Sequence, residues 1–412
     1  MSKNRNSKLK NTLFSIISVF LGLIIGFVGE LYFSLPDSYI IPQTVQGTVI
    51  NSSSHATEGL ITEETVEVVK SKDISFHFIE LGNKYTGDCI YIKCGDTDIL
   101  VDGGSRASSV PFIYNYIDSY MTDDCLDYII VTHAHQDHYA AFAATDSLFD
   151  HYSTDGKSIG LIIDFDKTNQ LEKGLYASYL REKAEAVRVG ATNFTAMQCY
   201  SNNNDSEEKE INEKEANRFY KIGEDSTGSD IILQILYTKY YEEKDSHGEN
   251  NHSVCFQIIQ GQNKYLFTGD LEKEGEEDLV SHTDNNLSKV QLYKAGHHGS
   301  KSSSTSALLS VIQPEYVVVC CCAGSSEYTS TLKNQFPTQQ FIDRVSVHTD
   351  RIYVTSLCID YKSAQFTSMN GNIIFFAEGT LTYLRCSNNL TKLRETDWFK
   401  QYRIWPENGK IN

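Results

Sequence analysis

The feature that most restricts this chain is a ten-residue stretch, Val131-Thr-His-Ala-His-Gln-Asp-His-Tyr-Ala140. It sets His133, His135, Asp137 and His138 within six positions. The preceding run, Leu126-Asp-Tyr-Ile-Ile-Val131, reads as a buried strand. The cluster therefore lies where a strand empties into a loop. Imidazole and carboxylate groups suit Zn²⁺, Mn²⁺ or Fe²⁺. Ordinary core hydrogen bonds cannot satisfy three histidines and an aspartate at the spacing H-x-H-x-D-H, so the pattern points to a metal or catalytic site rather than a histidine-rich turn.

Three further polar groups follow strand-like runs. Thr97–Val101 ends in Asp102-Gly-Gly-Ser105, where Asp102 is either a turn residue or a hydrogen-bond partner to a ligand histidine. The hairpin Val254–Ile259 and Lys264–Thr268 runs out at Thr268-Gly-Asp270. Asp270 is a candidate ligand there, with a helix N-cap before Leu271–Leu279 as the plainer alternative. Val290–Ala295 leads into Gly296-His-His-Gly-Ser-Lys-Ser-Ser-Ser304. Open sheets hold their ligands at such strand ends. His133, His135, Asp137, His138, Asp270 and one of His297 and His298 make six ligands, whereas one ion takes three or four. Six suggests two divalent ions, Zn or Mn, about 3.5–4 Å apart with Asp270 between them. A pair of this kind activates water and neutralises charge on a phosphoryl or carbonyl oxygen, which is hydrolytic equipment.

The rest of the chain frames this site. Residues 1–12 are basic and read as a cytoplasmic tail. Residues 13–33 are apolar enough, at ~31 Å as a helix, to predict a single-pass membrane anchor, with a cleaved signal peptide as the rival. That predicts a catalytic domain held outside the cell membrane, or a secreted one. Residues 34–73 read as a polar linker, 74–379 as the hydrolase domain, and 380–412 as a surface-packing tail. Ile74–Leu81, Cys89–Lys93, Ile159–Phe165, Ile231–Tyr237, Glu315–Cys322, Arg351–Thr355 and Ile373–Glu378 are further expected strands. Pro111–Met121 and Leu171–Val189 are expected helices. The charged stretch at 201–217 reads as a solvated insertion. The ten cysteines include no C-x-x-C pair, and most read as buried thiols. A formal net charge of −18 repels nucleic acid at long range, so any such contact must be local and metal-assisted.

The order D-G-G, T-H-x-H-x-D-H, T-G-D and H-H-G-S, over roughly residues 74–379, resembles the metallo-β-lactamase fold superfamily. The ending H-H-G-S-K-S-S-S is most similar to the hydrolase domain of bacterial competence DNA-uptake channels and to stand-alone, membrane-tethered relatives. The resemblance implies an α/β fold, a four-layer αββα sandwich with a two-metal site at one edge, here following an N-terminal membrane helix. It implies His133 and His135 on the first metal, Asp137, His138 and His297 on the second, and Asp270 as the bridge. Asp137 would then also serve catalysis. His298 would act as a catalytic group that orients substrate, with Ser300 and Lys301 facing its phosphate. The chain departs from the pattern in four places. The early turn Gly82-Asn-Lys-Tyr-Thr-Gly-Asp88 is longer than the short G-x-G-D form of competence domains, and Phe336-Pro337 stands where those domains often have His-Pro. Gly248-Glu-Asn-Asn-His-Ser253 lacks the usual further histidine, leaving the first metal short of a ligand unless Asn251 or His252 fills the place. The long membrane channel of competence proteins has no counterpart among the apolar stretches of this sequence.

These readings lead to a hydrolase of a phosphodiester such as DNA or a nucleotide. The alternatives are hydrolysis of a small lactone, thioester or β-lactam, and a non-catalytic sensor or assembly component. The net charge disfavours a long polymer as substrate. No protein partner is deducible.

Overall fold

The structure is a computed structural model and describes residues 72–154, 156–202, 215–245 and 248–407. Two mixed eight-stranded sheets form its centre. The first begins with β1 (Ile74–Phe78), β2 (Ile90–Cys94), β3 (Thr97–Val101), β4 (Cys125–Ile130), β5 (Ser158–Asp164) and β6 (Thr192–Thr195). The second holds β7 (Phe219–Glu224), β8 (Asp230–Ile235), β9 (Phe256–Gln260), β10 (Asn263–Phe267), β11 (Leu292–Lys294), β12 (Tyr316–Ala323), β13 (Ile352–Asp360) and β14 (Gln365–Ser368). The chain then returns to the first sheet with β15 (Ile373–Glu378) and β16 (Leu381–Cys386). The orders are β16-β15-β1-β2-β3-β4-β5-β6 and β14-β13-β12-β11-β10-β9-β8-β7.

Each sheet is parallel where the polar clusters leave it. β3 to β6 pair in parallel in the first, and β10 to β13 in the second. Parallel neighbours need crossovers, and helices supply most of them. α1 (Val110–Asp118) joins β3 to β4, and the one-turn α2 (Gln136–Tyr139) follows β4. α3 (Gly174–Val189) precedes β6. α4 (Lys273–Ser281), α5 (Ser306–Ile312) and α6 (Gln339–Val345) connect β10 to β13 in turn. α7 (Asp397–Tyr402) comes last. Because the strands of each parallel block run the same way, their C-terminal loops gather on one edge.

The inner sheet faces meet through aromatic rings. Phe76 lies 4.5 Å from Tyr265 and 5.8 Å from Phe267 between centroids, and Tyr316 lies 5.2 Å from Phe375. Such pairs add about 0.5–1.5 kcal/mol each beyond their buried area. Ile113 and Ile117 of α1 and Tyr179 of α3 belong to the core that includes the first sheet. Leu279, Leu308, Phe341 and Phe399 cover the outer side of the second. Two mixed sheets with helices on their outer faces are consistent with the expected αββα sandwich.

Two expectations need correction. Residues 13–33, the expected membrane span, lie outside the described residues, as do 1–12 and most of the linker. Among the described residues no helix is long and apolar enough to cross a membrane. The longest, α3, has 16 residues and carries Arg181, Glu182, Lys183 and Glu185, too short and too charged for a bilayer core of roughly 30 Å. On that finding the expected placement as an anchored, outward-facing protein, with its secreted alternative, is withdrawn. The boundary at 379 also fails. β16 pairs with β15 along six residues, from Ile373↔Cys386 to Glu378↔Leu381, and so completes the first sheet. Trp398 and Phe399 are buried against the second. The 380–412 stretch is thus part of the folded domain. Its edge strand mixes exposed and buried residues too weakly to show a clear period. The charged insertion expected at 201–217 mostly falls outside the described residues; its end leads into β7, which pairs antiparallel with β8.

Candidate metal centre

The first sheet delivers one half of the site. Beyond β4, Thr132 is tied to Asp102: its backbone N–H donates to Asp102 Oδ1 and its hydroxyl to Oδ2, both at 2.8 Å. Asp102 sits at φ 57°, a left-handed conformation costing a non-glycine residue roughly 1–2 kcal/mol. That turn aims its carboxylate back beneath the histidine loop. His138 Nδ1 donates to Asp102 Oδ2 at 2.7 Å. With Nδ1 so occupied, Nε2 is the free nitrogen, and it faces Asp270 Oδ2 at 3.1 Å. Asp102 therefore fixes ring and tautomer, one of the two roles foreseen for it.

The second sheet delivers the other half. β10 ends at Thr268-Gly-Asp270, and the Asp270 N–H donates to Ser253 Oγ at 3.1 Å. β11 leads into His297 and His298, both left-handed, at φ 45° and 54°. His298 is fully buried and donates from Nδ1 to the Cys320 carbonyl at 2.9 Å. Its Nε2 lies 3.2 Å from Asp137 Oδ2 and 3.3 Å from Asp270 Oδ2. His297 is partly exposed, with Nε2 3.8 Å from Asp270 Oδ2 and Nδ1 turned to Glu272 and Ser302. The positions of these two are thus the reverse of what the resemblance implied. His298 enters the cluster and His297 stands at its rim. Two successive left-handed residues reverse the chain and send the neighbouring rings apart, with centroids 6.0 Å apart.

One donor atom each from Asp137, His138, Asp270 and His298 lie within 4.8 Å of one another. His138 Nε2, His298 Nε2 and Asp270 Oδ1 are buried without a hydrogen-bond partner. A buried polar atom left this way costs about 1–3 kcal/mol. A divalent cation satisfies all of them at once, so the residues present fit a metal. His133 and His135 lie alongside rather than within this group. Their rings bond to each other, Nε2 to Nδ1 at 3.0 Å, and the His133 ring is 4.2 Å from that of His138. The two candidates for the missing ligand differ. Asn251 is engaged with Asp245 and the Glu272 N–H, whereas His252 meets the Tyr240 carbonyl through Nδ1 and keeps a buried Nε2 without a hydrogen-bond partner. Asn250, beside His297 at 3.5 Å, has a buried Oδ1 without a partner.

The local field is set by carboxylates. Burial pulls the His138 imidazole down, but Asp270 and Asp102 outweigh it and hold the group well above the ordinary histidine value. His298 is held up in the same way, against its burial, by Asp270 and Asp88. Burial pushes Asp270 up, yet the surrounding histidines bring it well below the usual carboxylate range.

Several participants were not legible in the sequence. Asp88 is buried and forms a second cation-suited group with Asp102 and His138. Lys294, the last residue of β11, is buried too; its ammonium pairs with Asp88 and lies 3.6 Å from Asp270 Oδ1. A lysine inside an otherwise apolar strand was the available signal. Of the two substrate-facing candidates, Ser300 is buried and bonded to Ser302, and Lys301 is exposed. Neither pairs with a cluster carboxylate among the described contacts.

A clamp holds the loop that carries His298. Arg344 of α6 donates to the carbonyls of Lys301, Ser303 and Ser304. Glu276 of α4 accepts from the backbone N–H groups of Ser304 at 2.6 Å and Thr305 at 2.7 Å. Burial pushes the Glu276 carboxyl from 4.5 up to about 7. Between those values the native state binds more protons than the unfolded chain, so this group makes stability fall as pH rises, by about 3 kcal/mol over the window. Glu276→Gln should remove that slope. The check is the difference between the urea midpoints at pH 5 and pH 8 in the two proteins.

The metallo-beta-lactamase superfamily model matches residues 242–323, the segment that carries Asp270, Lys294, His297 and His298. ComE operon protein 3 of Bacillus subtilis (strain 168) is 37% identical over 76 residues, 18% of this chain and 10% of that protein's length. Over residues 242–323, then, the chain carries the signature of a metallo-β-lactamase domain. Similar solved structures include the metallo-beta-lactamase fold protein YhfI from Bacillus subtilis, with TM-score 0.37 and 10% identity over 68% of this chain and 95% of that one. Another is a diphosphatase of the PhnP family, with TM-score 0.30 and 11% identity over 59% and 85%. The matched segment and the His/Asp cluster together suit a divalent-metal site. In such a site the aspartate beneath the ligand histidine governs affinity. Asp102→Ala should weaken divalent-ion binding on the order of 10–100-fold, read by competition with a chromogenic chelator.

Proposed function

We propose that this metallo-β-lactamase domain hydrolyses a phosphodiester, and that its substrate is a nucleotide or a short nucleic-acid end rather than a long duplex. One observation carries the reading. The loop Gly296-His-His-Gly-Ser-Lys-Ser-Ser-Ser304, whose order resembles the competence-type hydrolases, is the segment that brings His298 to within 3.3 Å of both Asp137 and Asp270. The −18 charge favours a compact substrate, because a groove for a polymer normally carries excess cations.

Asp137, His138, Asp270 and His298 would hold one ion, and His133 with His135 are the candidates for a second. When bound, divalent ions supply Lewis acidity and make water nucleophilic near neutral pH. The protein supplies the rest. Asp102 and the Cys320 carbonyl lock His138 and His298 through Nδ1, so both Nε2 atoms converge without reorganisation. Lys294 balances the two buried carboxylates Asp88 and Asp270.

The test is a substrate panel on the full chain with Mn²⁺ or Zn²⁺. Bis-p-nitrophenyl phosphate should be cleaved, and Asp270→Ala should abolish the cleavage. Turnover of nitrocefin or an acyl-lactone with no phosphodiesterase activity would overturn the reading in favour of a small carboxylic substrate.

A further inference from the structure

Tyr328 lies on the segment between β12 and α6 and is 55% exposed, yet its hydroxyl reaches the cluster and donates to Asp137 Oδ2 at 2.7 Å. Nothing in the motifs of the family resemblance includes it. Its ring leans on Phe336 at 5.6 Å, and Phe336 in turn lies 5.9 Å from the His298 ring. The segment is anchored by Glu327, which accepts from the Thr86 N–H at 2.9 Å and from Arg106 Nη2 at 3.1 Å. Tyr328 is therefore held in place from its neighbour while its own face stays open to solvent. Beside it is a small cleft lined by Thr86, Ser325, Tyr328, Thr329, Gln335 and Phe336. Thr86 is 1% exposed, and its hydroxyl has no hydrogen-bond partner. An orphaned hydroxyl lining a cleft next to a phenol that touches the cluster is the signature of a polar subsite.

We infer that Tyr328 is a catalytic residue whose hydroxyl turns from Asp137 to donate its one hydrogen bond to the leaving-group oxygen when substrate is bound, while the cleft over Phe336, with the Thr86 hydroxyl, seats the leaving group. Water attacks phosphorus and gives up one proton to solvent, the P–O bond to the leaving group breaks, and that oxygen departs with the electron pair. Tyr328 supports the growing negative charge and keeps its own proton, and solvent protonates the alkoxide afterwards. Such a donor matters most when the departing oxygen is basic and carries most charge.

This inference rests on the hydrolase reading above. The experiment compares wild type with Tyr328→Phe on two phosphodiesters, one losing p-nitrophenolate and one losing an alkoxide. Ion content and the affinity for phenyl phosphate, a monoester product analogue, are measured by calorimetry alongside. The expected result is unchanged ion content, several-fold weaker phenyl phosphate binding, a KM within threefold, and a kcat on the alkoxide substrate reduced on the order of 100-fold. The loss with p-nitrophenolate should be far smaller. Equal losses on both substrates, an unchanged kcat, or loss of bound ion would overturn the inference, the last by showing that Tyr328 only positions Asp137. If wild type turns over a lactone and no phosphodiester, the phosphodiester reading has failed. The residue is then tested by the same pair of proteins on lactones with good and poor leaving alcohols.

Discussion

His298→Ala is expected to lose bound divalent ion and all hydrolytic activity, whereas His297→Ala keeps its ion and much of its rate. The two histidines are adjacent in sequence, so the contrast isolates geometry from composition. His298 Nε2 is buried, unpartnered and within 3.3 Å of two cluster carboxylates. Its removal deletes a donor and leaves Asp137 and Asp270 facing each other in a dry site. The fall in ion affinity should exceed the roughly 10–100-fold that follows from altering a partner behind a ligand. His297 is partly exposed and shares its Nδ1 between Glu272 and Ser302. Ion titration of both variants by calorimetry checks this. Equal loss in the two would return His297 to the ligand set.

Lys294→Met is expected to destabilise the fold by about 3–5 kcal/mol, the cost of leaving a buried charge without its partner. Burial pushes Asp88 up, but the Lys294 ammonium, together with His298 and His138, outweighs it and keeps the carboxyl below its usual value. With methionine in place of lysine, Asp88 and Asp270 would sit in the core with no fixed cation between them. The urea midpoint, taken in a chelator and again with saturating Mn²⁺, reads the effect. Added ion should recover part of the loss, because a cation at the neighbouring cluster partly replaces the missing charge. A midpoint unchanged in chelator would show that Asp88 and Asp270 do not depend on Lys294.

Much of this architecture is legible in the order of the residues. β3, β12 and β15 fall where their apolar runs place them, because a strand buried on both faces needs continuous apolar sequence. The polar loops stood out because histidine and aspartate rarely collect at a strand's end without a task. What the sequence hid was direction. His297 and His298 look equivalent as letters, and only their two left-handed backbones decide which ring turns inward. Lys294 and Asp88 are 206 positions apart, and no local pattern announces a pair made across the fold. β16 escaped because a half-exposed edge strand carries little periodic signal. Tyr328 was missed for the opposite reason: a tyrosine in a surface loop is ordinary until its hydroxyl is seen to touch Asp137.

The first sheet contributes Asp88, Asp102, Asp137 and His138, and the second contributes Asp270, Lys294 and His298. Neither sheet owns a complete centre. The cluster is in effect a gauge of how well two slabs are seated on one another, reporting a slip of an ångström that backbone spectroscopy would not register. Under mild denaturation the chemistry should therefore fade while both slabs still hold their hydrogen-bonded ladders.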